Sequence, residues 1–182
     1  IVPIVTENKY EKSVFEVNKP EIAPCIVVPL SLWELKNNKL FTKNNSPRAR
    51  PDRFIKYLDY YKLIYGKPLN TTNFKVRKDK ESLKALIKVF KKSFIPLYKK
   101  KKIGFSVIVK ETFWLTDLEQ RVKGITPIFS FVGISKSVKD KNHIVHDAFK
   151  LRQNRTKDKQ IEGKLIVKLK RHLNVLEKRL KW

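Results

Sequence analysis

A single cysteine, no methionine, three histidines and only five glycines are spread over the 182 residues, and each shortage closes off a class of mechanism. Cys25 alone cannot close an internal disulfide, so the chain is not a stapled secreted module and a reducing compartment is expected. It lies in an apolar, proline-bracketed run without a basic neighbour, which argues for a packed thiol and against a nucleophile. The glycines, at 66, 104, 124, 133 and 163, include no pair spaced like a Rossmann or P-loop turn. His143 and His146 stand three apart, but with no HExxH pattern and only Asp140 and Asp147 nearby, a surface helix accounts for them and no metal is expected. Acidic residues are also scarce. The basic middle of the chain offers Asp52, Asp59, Asp79 and Glu81, with no spacing that assembles the carboxylates of a metal-dependent nuclease. No apolar run reaches the ~18 residues of a membrane span. Neither an enzyme nor a cofactor is expected. The start at Ile1 without any methionine leads us to expect a preceding segment, either a cleaved targeting sequence or a disordered start.

Positive charge is what the sequence has in excess. Forty-two Lys and Arg stand against 17 Asp and Glu, a formal net charge of +25. Such self-repulsion is tolerated when a polyanion neutralises it, and nucleic acid is the expected partner. Lysine supplies 33 of the cations and arginine 9. Most of the charge therefore consists of hydrated point charges suited to phosphates, not of forks that read base edges. The distribution is uneven: residues 1–35 carry a net −2, residues 36–110 a net +18 and residues 111–182 a net +9.

Apolar spacing predicts an α+β fold, a small mixed core of a few strands and amphipathic helices with long basic extensions. The proline-punctuated start reads as extended, with a strand near residues 25–31. Residues 36–50 are expected to form a charged loop. A helix starts at Pro51, runs through Phe54, Leu58, Tyr61 and Tyr65, and stops at Gly66 and Pro68. A second is capped by Asp79, carries Leu83, Leu86, Ile87, Phe90 and Phe94 on one face, and is broken by Pro96. Alternation over 103–109 and the run 128–134 predict two strands, separated by a short helix or turn over 115–123. Residues 140–152 predict another helix, and Leu165, Leu169, Leu173, Leu176 and Leu180 mark a final amphipathic one. This divides the chain into an acidic extended segment (1–35), a basic RNA-binding core (36–152) and a basic linker with a C-terminal helix (153–182).

Candidate phosphate contacts follow the clusters of charge. Arg48, Arg50 and Arg53 lie just before or inside a helix's first turn, where backbone amides also favour anions, with Lys56 one turn on. Lys91, Lys92 and the block Lys99, Lys100, Lys101 and Lys102 make the densest patch. Lys136, Lys139 and Lys141, and then Arg152, Arg155, Lys157 and Lys159, fall in two charged stretches that read as tongues ordered by binding. A base could stack on a tyrosine of the 54–67 segment, although core packing explains Phe54, Tyr61 and Tyr65 more simply.

In its composition, lysine-rich extensions and small core the chain resembles mitochondrial ribosomal proteins. The resemblance is to a class and is carried by the whole chain, not by one motif. It implies rRNA as ligand, neighbouring ribosomal proteins as partners, reached through residues 1–35, and no catalysis. It also implies the mitochondrial matrix, with the cytoplasm as the alternative location. Two other classes compete: a nucleic-acid-processing enzyme or its non-catalytic subunit, and a protein held on an anionic membrane surface by Lys168, Arg171, Lys178 and Trp182 of the last helix.

Overall fold

The structure is a computed structural model that describes residues 2–6, 15–19, 22–39, 55, 58, 61–154 and 158–180, with side chains from Leu30 onward. It divides into two compact units, Ile1–Arg77 and Lys78–Trp182. The molecule is mostly helical, so the expected α+β core is overturned. The strands are confined to the first unit, and none is found among the described residues of the second.

In the first unit, β1 (Val2–Thr6), β2 (Phe15–Lys19) and β3 (Ile22–Ser31) form a sheet in the order β1-β3-β2. β1 runs parallel and β2 antiparallel to the central strand. The strand expected near residues 25–31 falls within β3. Ser31 ends it and caps α1 (Leu32–Asn37): its hydroxyl accepts the Glu34 amide at 3.1 Å, and the Glu34 carboxylate accepts the Ser31 amide at 2.9 Å. This capping box is legible as S-x-x-E. Leu30, Leu35 and Ile55 form a small core, with Leu32, Leu69, Phe74 and Val76 against it. Of the helix expected from Pro51 to Tyr65, Ile55 and Leu58 are described as helical, whereas residues 61–65 are not. Tyr65 is 96% exposed, which reverses its assignment to a core.

The second unit is a helical assembly. In α2 (Asp79–Val89), the expected apolar face packs inward through Leu83 and Ile87, with Leu86 partly buried. Lys78 occupies the capping position expected of Asp79. Pro96 does not break the pattern: a π-helical turn, Phe90–Phe94, leads directly into α3 (Ile95–Lys99). Pro96 is the second residue of α3, directly after this wider turn.

Both predicted strands of this unit are helices or loops. Residues 105–109 open α4 (Phe105–Val122), an 18-residue helix that also absorbs the short helix expected over 115–123. Its buried positions 108, 109, 112, 113, 116, 119 and 120 follow a helical period, and 115, 117 and 121 are buried beside them. The 128–134 run enters α5 (Phe131–Ser137), capped by Ser130, whose hydroxyl accepts the Gly133 amide at 2.9 Å. α6 (Ile144–Asn154) and α7 (Lys159–Arg179) match the last two expected helices. Leu165, Leu169, Leu173, Leu176 and Leu180 all enter the core with Phe90, Ile108, Phe113 and Ile134.

Candidate nucleic-acid interface

Three acids of the helical unit, Asp117, Glu119 and Glu162, are buried, and Arg121 is buried with them. Along α4 the apolar stripe gives way toward the C-terminus to Asp117, Glu119, Gln120 and Arg121, all buried. A buried carboxylate persists only where donors satisfy it. Asp117 accepts the Ile128 amide at 3.0 Å and faces Arg121 at 3.5 Å, while Arg121 also pairs with Asp79. On α7, buried Glu162 accepts the Tyr98 hydroxyl at 2.5 Å and Lys159 at 2.9 Å. Burial raises the Glu162 pKa, but these two hydrogen bonds and the Lys159 charge outweigh it and hold the group below its ordinary value. Burial, together with the bond to Glu162, pushes the Tyr98 phenol up to about 12. Glu177 pairs with Lys91 and Asp147 with Lys168.

Glu119 engages three side chains. Its Oε2 lies 3.0 Å from His143 Nε2 and 3.0 Å from His172 Nε2, and its Oε1 lies 3.4 Å from Lys123. Burial raises its pKa, yet the two imidazole hydrogen bonds and their charges prevail, so it is held far below the usual carboxylate range. His143 Nδ1 accepts the Val145 amide at 3.2 Å, capping α6. That bond leaves Nε2 as the His143 nitrogen that faces Glu119. His146 instead lies 3.3 Å from Ser135. The surface-helix explanation of the two histidines thus fails for His143, which is buried. Its partner Glu119 is 24 residues earlier, a separation no local motif reveals.

The expected cationic contacts that the structure describes, by contrast, face outward apart from half-buried Lys91. Lys92, Lys99, Lys100, Lys101, Lys102, Lys136, Lys139, Lys141, Arg152 and Lys159 are exposed. Lys99–Lys102 is a pinned turn. The Lys101 amide donates to Tyr98 O at 2.9 Å and the Lys102 amide to Leu97 O at 2.9 Å, the double closure of a Schellman motif at the end of α3. Lys101 fills the left-handed position, φ +56°, that usually belongs to glycine. Across from this turn, Lys170 on α7 has its pKa lowered, chiefly by the nearby Lys99 charge. Sequence reasoning missed Lys170, since many lysines of α7 share its spacing and only packing selects the one beside the block.

Other expected contacts are placed differently. Lys91 lies in its ion pair with Glu177 and Lys159 in its pair with Glu162. Lys136 sits in the last turn of α5, and Lys139 and Lys141 flank a turn that Asp140 closes through the Asn142 and His143 amides. That stretch is thus a helix end followed by a turn. Arg152 stacks over the Phe131 ring, 4.2 Å from its centroid, at a hollow of about 410 Å³ lined by Phe131, Val132, Phe149, Arg152 and Gln153. Arg48, Arg50, Arg53, Lys56, Arg155 and Lys157 lie outside the described residues, as do the Cys25 side chain and Trp182.

Comparisons with protein-family models, with curated proteins and with solved structures find no match for this chain. No helix among the described residues is long and apolar enough to cross a membrane.

Proposed function

We propose that this protein is a structural RNA-binding subunit of a large ribonucleoprotein, a mitochondrial ribosomal protein that contacts rRNA through lysine and arginine. The observation that carries this reading is the turn Lys99–Lys102 with Lys170 beside it. Like charges brought together on a fixed backbone repel one another unless a polyanion lies over them. A left-handed lysine where glycine would be less strained is a further cost borne at the same place.

The role is stapling. The folded part docks on RNA helices, and the outward cations neutralise phosphates where RNA segments converge, so affinity comes from counterion release and not from base reading. The acidic first 35 residues face neighbouring proteins of the particle, in the mitochondrial matrix, and no catalysis is involved. Sedimentation of a lysate before and after ribonuclease tests this directly. Co-migration with a large particle that is lost on digestion is expected. Charge reversal across Lys99–Lys102 is expected to lower incorporation, and unchanged incorporation would count against the reading.

A further inference from the structure

We propose that Glu119, His143 and His172 form a Zn²⁺ site that ties α4, the start of α6 and α7 together. The proposal does not depend on RNA binding. Both imidazole Nε2 atoms stand 3.0 Å from the same carboxylate oxygen, and all three donor atoms lie within 4.8 Å of one another. The two rings are nearly perpendicular, at 83°, with centroids 4.6 Å apart. Tetrahedral zinc at about 2.0–2.1 Å from nitrogen and oxygen holds its donors ~3.3 Å apart, so the two Glu119–histidine distances need to open by only a few tenths of an ångström, and the two Nε2 atoms, already within 4.8 Å of each other, must settle at that same spacing. Two imidazoles and one carboxylate suit zinc; calcium and magnesium prefer oxygen alone.

Glu119 and His143 are buried, while the His172 side chain is 16% exposed. Water therefore has a route to a fourth ligand position beside His172. In the metal-free arrangement, protons occupy the space between the imidazoles and the carboxylate, and zinc displaces them. The exchange has a local signature. A zinc ion on His143 Nε2 requires the ring proton on Nδ1, so the Val145 amide must give up its 3.2 Å bond to that nitrogen. Lys123 remains against the other oxygen of Glu119 and neutralises it in either state.

The test uses the purified full chain, freed of metal by a chelator and titrated with Co²⁺ as a spectroscopic stand-in. One equivalent is expected to produce the visible absorption of a tetrahedral cobalt site, which Zn²⁺ abolishes, and to raise the unfolding midpoint by at least about 4 °C. Mg²⁺ is expected to do neither. The Val145 amide should be among the resonances that shift. His143→Gln and His172→Gln should each weaken Co²⁺ binding by more than roughly 100-fold, while His146→Gln, on its separate Ser135 contact, should not. No visible band in the wild-type protein would overturn the site. So would full binding in both the H143Q and H172Q variants. If H143Q does not fold, H172Q and the wild-type spectrum still decide.

Discussion

Lys101 concentrates the conflict between stability and charge at a single residue. A non-glycine residue in the left-handed region costs about 1 kcal/mol relative to glycine, and its amide is already committed to the Schellman closure. Lys101→Gly is therefore expected to raise stability by roughly 0.5–1 kcal/mol in chemical denaturation while weakening RNA affinity, an opposition that a purely structural lysine would not produce. Glu162 offers a pH-linked test. Its folded-state pKa lies below the ordinary 4.5, so its stabilising effect is complete above that value and fades as pH falls through the lowered one. Glu162→Gln should cost about 1–2 kcal/mol at pH 7 and flatten the loss of stability on acidification, measured as unfolding midpoints between pH 7 and 3. Neither Glu162 nor Glu119 could be singled out as a buried acid from the sequence, because their partners are brought in by folding: Tyr98 is 64 residues from Glu162 and His172 is 53 from Glu119.

Elements show where periodicity succeeds and where it misleads. The apolar faces of α2 and α7 were legible because leucine, isoleucine and phenylalanine recur at helical spacing for several turns, and those residues are the core. The start of α4 was not. Gly104 to Val109 alternates in a strand-like way with β-branched residues, and beyond it the buried face includes Thr112, Thr116 and Asp117, which do not register as apolar. Thr112 and Thr116 satisfy their hydroxyls on carbonyls four residues back, at 2.8 and 2.9 Å, which lets polar residues enter a helical core. Packing decided against local propensity. Two glycines test these assignments with opposite signs. Gly163 sits inside α7 with open space around its missing Cβ, so Gly163→Ala should stabilise by about 0.5–1 kcal/mol in thermal or denaturant unfolding. At Gly133 in α5, a Cβ would meet Ile128 Cγ2 at 2.7 Å and the capping Ser130 hydroxyl at 2.8 Å. Gly133→Ala is expected to destabilise by about 1–3 kcal/mol.

For the molecule as a whole, the net +25 was legible at once, but which acids folding buries was not. Asp117, Glu119 and Glu162 are turned inward onto internal donors, while Lys99–Lys102, Lys136, Lys139 and Lys141 face solvent. Charge runs in the sequence located the lysine block, whereas its second flank, Lys170, depended on α7 packing. Glu162 and Glu119 each hold one exposed lysine, Lys159 and Lys123, and the large excess of cations over acids leaves the exposed field positive. The direct measurement is the affinity of the purified full chain for a folded RNA across 50–300 mM monovalent salt. Tight binding at the low end is predicted, with log K falling linearly against log salt at roughly −0.7 to −0.9 per phosphate neutralised, and a shallower slope after charge removal at Lys99–Lys102. Failure to bind RNA at 50 mM salt, or affinity that does not change with salt, would contradict the account.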